Sequence, residues 1–391
     1  MLVEAPKCLR KPLFVPNKLL MGPGPSNCPP RVLQAMSQQT LGHLHTETTY
    51  IMDEIKEGIK YIFQTRNTLT LCVSAAGHAA IEAIMCNLLE PGDVVLIAVN
   101  GIWGDRASDM AERYGAIVRQ IRTGPGNNFT LNQIEEGLIK YKPVLFFIVQ
   151  GESSTGCYQP LEGLGNLCHR YNCLLGVDTV ASLGSVPVKM DEWSIDAIYT
   201  GSQKCLSAPP GITPMSFSKK AENKIFTRKT PVKVYYLDMK VLGDYWYCFG
   251  KPRIYHHTVS ATLIYGFREA LAIFCEEGID NSIRRHQMCA NKLYEGLDRL
   301  GMQLFIRDAS KRLPTVTTIE VPDFLNWRDV VEYAMKTYYF EISGGLGPTT
   351  GKVFRIGLMG YNATLDNVDY TLKVLEESLN HARSKFKASK L

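Results

Sequence analysis

From about residue 66 the sequence alternates continuous apolar runs with blocks of helical periodicity, and no other feature restricts the fold as strongly. TLTLCVS (68–74), DVVLIAVN (93–100), AIVRQIR, PVLFFIVQG, CLLGVD and IDAIYTGS read as strands. AAGHAAIEAIMCNLL, the stretch from Trp103 to Tyr114, LNQIEEGLIKY and LEGLGNLCHRYN read as helices between them, the first stopped by Pro91-Gly92. Strands that are apolar throughout are covered on both faces, so the pattern predicts an α/β fold with a mostly parallel sheet between helical layers.

The texture changes near residues 228–258, which are rich in Tyr and turn residues. Helices are expected from Ser260 to Glu277 and from Asn281 to Leu300. The last hundred residues then alternate strands (TVTTIEVP, VFRIGLMG) with helices (WRDVVEYAMKTY, DNVDYTLKVLEESLNHA). This reads as a smaller α+β unit. No repeat or Gly/Ser linker separates the units, so the division expected is an extended N-terminal arm over 1–21, a large domain over 22–280 and a small domain over 281–391. The proline-rich arm is expected to cross a surface or a partner subunit.

Composition narrows the function. With 45% hydrophobic and 21% charged residues among 391, the chain has material for a core and little for disorder. A net charge of +5 without a basic stripe argues against nucleic acid. No window approaches ~18 unbroken apolar residues, so no membrane span is expected. The 11 cysteines include no CxxC pair, and His43, His45, His256 and His257 lack zinc-site spacing. No disulfide scaffold or metal is expected. Ser389-Lys390-Leu391 matches a peroxisomal address read by an import receptor, which predicts a peroxisomal protein.

Four features fall at or beside strand ends, where open parallel sheets bind ligands. Ser74-Ala75-Ala76-Gly77-His78 opens a helix, and its small residues and free amides suit a phosphate, although a plain tight turn reads the same way. Asp178 closes CLLGVD, and a carboxylate there can cap a helix, ligate a metal or partner the ring nitrogen of pyridoxal phosphate. Lys204 lies in YTGSQKCLSAPPG, a loop of small residues and prolines where a solvated lysine is out of place. Burial there would make its amine a nucleophile. Arg355 interrupts the apolar strand KVFRIGLMG and suits a carboxylate held bidentately, or else a structural ion pair.

Together these residues resemble the fold-type-I pyridoxal-phosphate aminotransferases, and within them the alanine–glyoxylate (serine–pyruvate) branch of class V. The motifs are GPGPSN (22–27), SAAGH, GIWG (101–104), GESSTG (151–156), VDTVAS (177–182), GSQK (201–204), YHHT (255–258) and GGLGP (344–348). They occur in family order along nearly the whole chain, and insect 3-hydroxykynurenine transaminases share much of the pattern. The resemblance implies a large domain with a mostly parallel seven-stranded sheet and a smaller C-terminal domain. It implies that Lys204 holds the cofactor covalently and moves the proton in the 1,3-shift, that Asp178 holds the pyridine nitrogen and that Trp103 stacks on the ring.

Gly77, His78 and Gln203 would bind the phosphate, with Tyr255 and Thr258 reaching it from the other subunit of a homodimer. Ala76 stands where relatives often carry a phosphate-contacting serine. Ser153 would sit near the cofactor and the substrate carboxylate, and Arg355 would clamp that carboxylate with the Gly24 backbone. The implied reaction moves the amino group of alanine to glyoxylate by a ping-pong route. Serine or 3-hydroxykynurenine are the alternative donors, and Gly42-His43 in the loop near the substrate mouth tilts the reading toward small substrates. A hydrolase is disfavoured because GESSTG is GxSxxG and not GxSxG. A desulfurase is disfavoured because Cys289 lies in a helical pattern.

Overall fold

A computed structural model describes residues 3–388. Its strands are β1 (Leu69–Val73), β2 (Val94–Val99), β3 (Ile117–Arg122), β4 (Leu145–Val149), β5 (Gly151–Glu152), β6 (Cys157–Tyr158), β7 (Leu174–Asp178), β8 (Ala197–Tyr199), β9 (Thr213–Phe217), β10 (Val316–Glu320), β11 (Ser343–Gly344) and β12 (Val353–Gly357). The helices of the first two-thirds are α1 (Pro30–Met36), α2 (Thr46–Phe63), α3 (Gly77–Leu88), α4 (Ile102–Arg113), α5 (Leu131–Tyr141), α6 (Leu164–Arg170), α7 (Lys219–Phe226), α8 (Met239–Tyr245) and α9 (Ala261–Glu277). Then come α10 (Ile279–Arg299), α11 (Trp327–Tyr338) and α12 (Leu365–Ala388). The tripeptide Ser389-Lys390-Leu391 lies outside the described residues.

Seven strands form one sheet in the order β1-β9-β8-β7-β4-β2-β3. β8, β7, β4, β2 and β3 are mutually parallel. β9 is antiparallel to both β8 and β1, which turns β1 back into the common direction. The ends of β1, β2, β4, β7 and β8 therefore open onto one edge of the sheet. β9 is the strand that the apolar pattern conceals: it follows Pro209-Pro210-Gly211 and contains Pro214, which reads as loop. It is nevertheless buried at every position. The helices before residue 66 also carry a burial pattern, with Met52, Ile55, Ile59, Ile62 and Phe63 of α2 fully or almost fully enclosed.

The core has two main clusters. One surrounds the seven-stranded sheet and includes Ile264, Phe267 and Phe274 of α9. The other gathers Cys289, Leu293 and Leu297 of α10 with β10, β12, α11 and α12. The change of allegiance occurs at Gly278, whose φ of +82° breaks α9 from α10. Chain from the N-terminus joins the second cluster: Leu19 exchanges backbone hydrogen bonds with Tyr339 and Glu341 (3.0 and 2.9 Å), and Met21 is fully buried there. Before it, Val3, Leu9, Leu13, Phe14 and Val15 are exposed. No helix among the described residues is long and apolar enough to cross a membrane.

Candidate active site

The sheet edge brings Ala76, Gly77, His78, Trp103, Ser153, Asp178, Gln203 and Lys204 around one cavity of about 120 Å³. Ala76, Gly77 and His78 follow β1, Trp103 follows β2, Ser153 follows β4 and β5, Asp178 ends β7, and Gln203 and Lys204 follow β8, which is why residues 128 positions apart in sequence meet. A wider groove of about 1080 Å³ between α2 and α9 is lined by Asp53, Glu54, Lys56 and Arg268 among others and contains none of the residues that the sequence singles out.

Lys204 is half-buried in the turn after β8. Its Nζ donates to the Pro23 carbonyl, and Gly24, at φ +106°, lies so close that a Cβ there would overlap the lysine. Ser26 fixes the loop from below, donating through Oγ to the Lys204 carbonyl (2.8 Å) and through its amide to that of Gln203 (2.9 Å). Burial draws the Lys204 amine down to about 8, and the Arg355 charge pulls the same way against Asp178 and Glu341. The neighbouring Cys205 thiol is pushed up to about 12 by burial, so it carries no charge at neutral pH.

Asp178 ends β7. Its Oδ1 accepts from the Val180 amide (2.8 Å) and its Oδ2 from the Tyr199 hydroxyl. Burial pushes it up to about 6, while Tyr199, Val180 and the Lys204 charge hold it down. Tyr199 pairs directly across from Asp178 in the β7–β8 register. Sequence reading missed it, although counting back from the two strand ends would have aligned them.

At the other end of the cavity, α3 begins with Ala76 as an N-cap that offers no side-chain bond, and no acidic residue stands in its first turn. Its leading amides are free for an anion. Trp103, one residue into α4, donates through Nε1 to Ser153 Oγ (2.9 Å) and stands edge-on to His78 at 5.5 Å between centroids. Arg106, also missed from sequence, lies 4.8 Å from the Trp103 ring centroid and bonds His78 Nε2 (2.9 Å). Burial, then the Arg106 charge, holds His78 below its ordinary pKa and therefore neutral.

Arg355 approaches from β12 of the small unit. Nε donates to the Gly344 carbonyl (2.7 Å) and Nη1 to that of Ser153 (3.1 Å). It forms no ion pair among the described residues, so its guanidinium keeps capacity for an incoming carboxylate. Burial lowers its pKa, opposed by Glu152 and Glu341.

Tyr255 and Thr258 do not line this cavity. They bond each other (3.3 Å), and Tyr255 is exposed with its ring 4.8 Å from that of His43. The Gly42-His43 loop likewise packs toward Tyr255 and not into the cavity of its own chain.

The class-V aminotransferase family model matches residues 18–370. The chain belongs to the class-V aminotransferases. It is 55% identical over 385 residues to the alanine–glyoxylate aminotransferase of Callithrix jacchus, covering 98% of this chain and 93% of the relative. It is 54% identical to that of Drosophila melanogaster, covering 97% of each. The crystal structure of an alanine–glyoxylate aminotransferase from Nostoc sp. superposes with a TM-score of 0.93 at 44% identity, covering 96% of this chain and all of that one. This aminotransferase thus has the fold-type-I architecture.

Proposed function

We propose that the protein is a pyridoxal-phosphate-dependent alanine–glyoxylate aminotransferase, converting alanine and glyoxylate to pyruvate and glycine. The observation that carries this is a half-buried lysine whose desolvated amine is drawn toward neutrality in the same cavity as a buried carboxylate, with an uncapped helix N-terminus beside them. That set fits pyridoxal phosphate: Asp178 for the ring nitrogen, Gly77, His78 and Gln203 for the phosphate, Trp103 as a flat wall and Lys204 for the aldehyde. When bound, the cofactor supplies an electron sink for charge developing at the substrate α-carbon.

The remaining work falls to the chain. Lys204 Nζ, uncharged in a useful fraction near pH 8, is the group placed to take and return the α-proton. Arg355, supported by the Ser153 and Gly344 carbonyls, holds the carboxylate that donor and acceptor share. Both substrates use one clamp in turn, which is the ping-pong pattern. Relatives of over half identity that are named for alanine and glyoxylate support that substrate pair.

We also propose a homodimer in which Tyr255 and Thr258 serve the partner's cofactor, since neither lines its own cavity and Leu9, Leu13, Phe14 and Val15 of the arm lie exposed. Peroxisomal import through Ser389-Lys390-Leu391 completes the reading. The test is a paired assay with glyoxylate as acceptor and alanine or 3-hydroxykynurenine as donor. Alanine turnover is expected. Preference for 3-hydroxykynurenine would overturn the donor, and absence of a cofactor absorption band would overturn the chemistry. Replacing Lys204 with Ala should abolish that band and nearly all turnover.

A further inference from the structure

Glu152 belongs to GESSTG but has no role in the reading above, and its side chain is fully buried next to the cavity. It holds three donors: Ser154 Oγ at 2.6 Å and the Ser154 amide at 3.0 Å on Oε1, and the Trp103 amide at 3.2 Å on Oε2. Ser154 Oγ accepts in turn from the Ile102 amide (3.3 Å). The first two amides of α4, which no residue of the helix can satisfy, are thus met by a loop about 50 positions away. The N-cap Gly101 supplies no side chain, and a Cβ on it would overlap the Glu152 carboxyl.

The same loop is gripped from the small unit. Arg355 Nη1 donates to the Ser153 carbonyl, and Thr349 Oγ1 to that of Ser154 (2.7 Å). Side chains of residues 152–154 therefore hold Ile102 and Trp103, while the Ser153 and Ser154 carbonyls hold Arg355 of β12 and Thr349 just before that strand. We propose that Glu152 is a positioning residue that fixes the Trp103 ring in the cavity and sets its register with Arg355. The inference rests on the reading of Trp103 as a wall of the cofactor site. Desolvation pushes the Glu152 carboxyl up to about 7, and the Ser154 and Trp103 donors pull against that rise. Three donors converging on one buried carboxyl are consistent with a positioning task.

The deciding substitution is Glu152→Gln. Its carbonyl can still accept from Ser154, but its amide nitrogen faces the Trp103 N–H, donor against donor. The purified protein stripped of cofactor is compared with wild type by near-ultraviolet circular dichroism, the Trp103 band being assigned by difference against Trp103→Phe among the 4 tryptophans. Affinity for added pyridoxal phosphate is then titrated in wild type, Glu152→Gln, Trp103→Phe and the double variant.

Expected are a changed Trp103 band without cofactor, an affinity loss of about tenfold in Glu152→Gln, and little further loss when the change is made in Trp103→Phe. Loss that adds in full to that of Trp103→Phe, or no loss at all, overturns the proposal. Should Glu152→Gln not fold, Ser154→Ala removes the shortest donor to the carboxylate and carries the same test, and wild-type affinity with an unaltered Trp103 band would overturn it. Failure of wild type itself to bind pyridoxal phosphate would instead sink the cofactor assignment.

Discussion

At the scale of single residues, burial sets the chemistry. The Lys204 amine loses hydration in its turn, so the charged form is penalised and the pKa falls to about 8. In cofactor-free protein, an amine-directed reagent such as trinitrobenzenesulfonate should modify Lys204 with a midpoint near pH 8, well before exposed lysines that titrate near ~10.4. Peptide mapping across pH measures this, and a midpoint shared with the surface lysines would refute the burial argument. Tyr199 acts on the other member of the pair. Tyr199→Phe strips Asp178 Oδ2 of its donor, so the carboxyl, already raised to about 6, should rise further and be ionised less at neutral pH. Pyridoxal-phosphate affinity should fall about tenfold at pH 7 and recover partly at higher pH, as titrations at several pH values would show. Asp178, Lys204 and Arg355 stood out in the sequence only in combination, since each charged group beside or inside an apolar strand has a bland reading when taken singly. Tyr199 and Glu152 did not, because a tyrosine or a glutamate in a strand is unremarkable until its partners are known.

Secondary-structure elements place these groups by close packing, and glycines mark where packing is tightest. α4 carries Trp103 and lies so near β2 that a Cβ on Gly104 would stand 2.7 Å from the Ala98 carbonyl oxygen and 2.9 Å from Val99 Cα. Alanine in an exposed helix gains about 1 kcal/mol over glycine. At position 104 it should instead destabilise by roughly 1–3 kcal/mol, since backbone must move. Gly137 of α5 would meet only side chains, the nearest being Leu96 Cδ2 at 2.9 Å, so Gly137→Ala should cost less. Urea unfolding of the two variants gives the comparison, and a Gly104→Ala protein as stable as wild type would contradict it. Helix α5 illustrates what local sequence can specify, because Thr130 and Gln133 form a capping box and LNQIEEGLIKY is helical over its full length. β9 illustrates the opposite, since its strand state comes from pairing with β1 and β8 and not from its own residues.

Across the whole molecule, His286 of α10 ties its helix to the turn at Gly360. Its Nδ1–H donates to the Ser282 carbonyl (2.7 Å) and its Nε2 accepts from the Gly360 amide (2.9 Å). Arg285 donates to the Gly360 and Ala363 carbonyls, and Ser207 of the Lys204 loop accepts from the Tyr361 amide (2.8 Å). Burial, then the Arg285 charge, lowers His286 to about 4. The unfolded chain takes up that proton near pH ~6.5 and the folded one does not until about 4. Stability is therefore present above about 6.5 and lost as pH falls toward 4. Asp178, raised in the folded state, works in the opposite sense over part of that range, so the contribution is read as a difference. His286→Gln preserves one donor and one acceptor, and should reduce the acid loss between pH 7 and 4.5 by on the order of 2 kcal/mol. Urea midpoints at the two pH values test this, and an unchanged acid loss would exclude His286 as its source.

Local sequence was sufficient for the alternating elements and for the small and charged residues at or beside strand ends, while the class of chemistry came from the resemblance that the ordered motifs carry. The first two depend on periodicity and on the cost of burying a charge, which act over a few neighbouring residues. Tertiary packing alone settled that β9 enters the sheet, that Leu19 and Met21 return to the small unit, and that Tyr255 and Thr258 stay outside their own cavity. It also brought Glu152 beneath Trp103 and Tyr199 against Asp178. Such pairings join segments tens to hundreds of residues apart, and their free energy comes from desolvated hydrogen bonds and close contact that exist only once the sheet has formed.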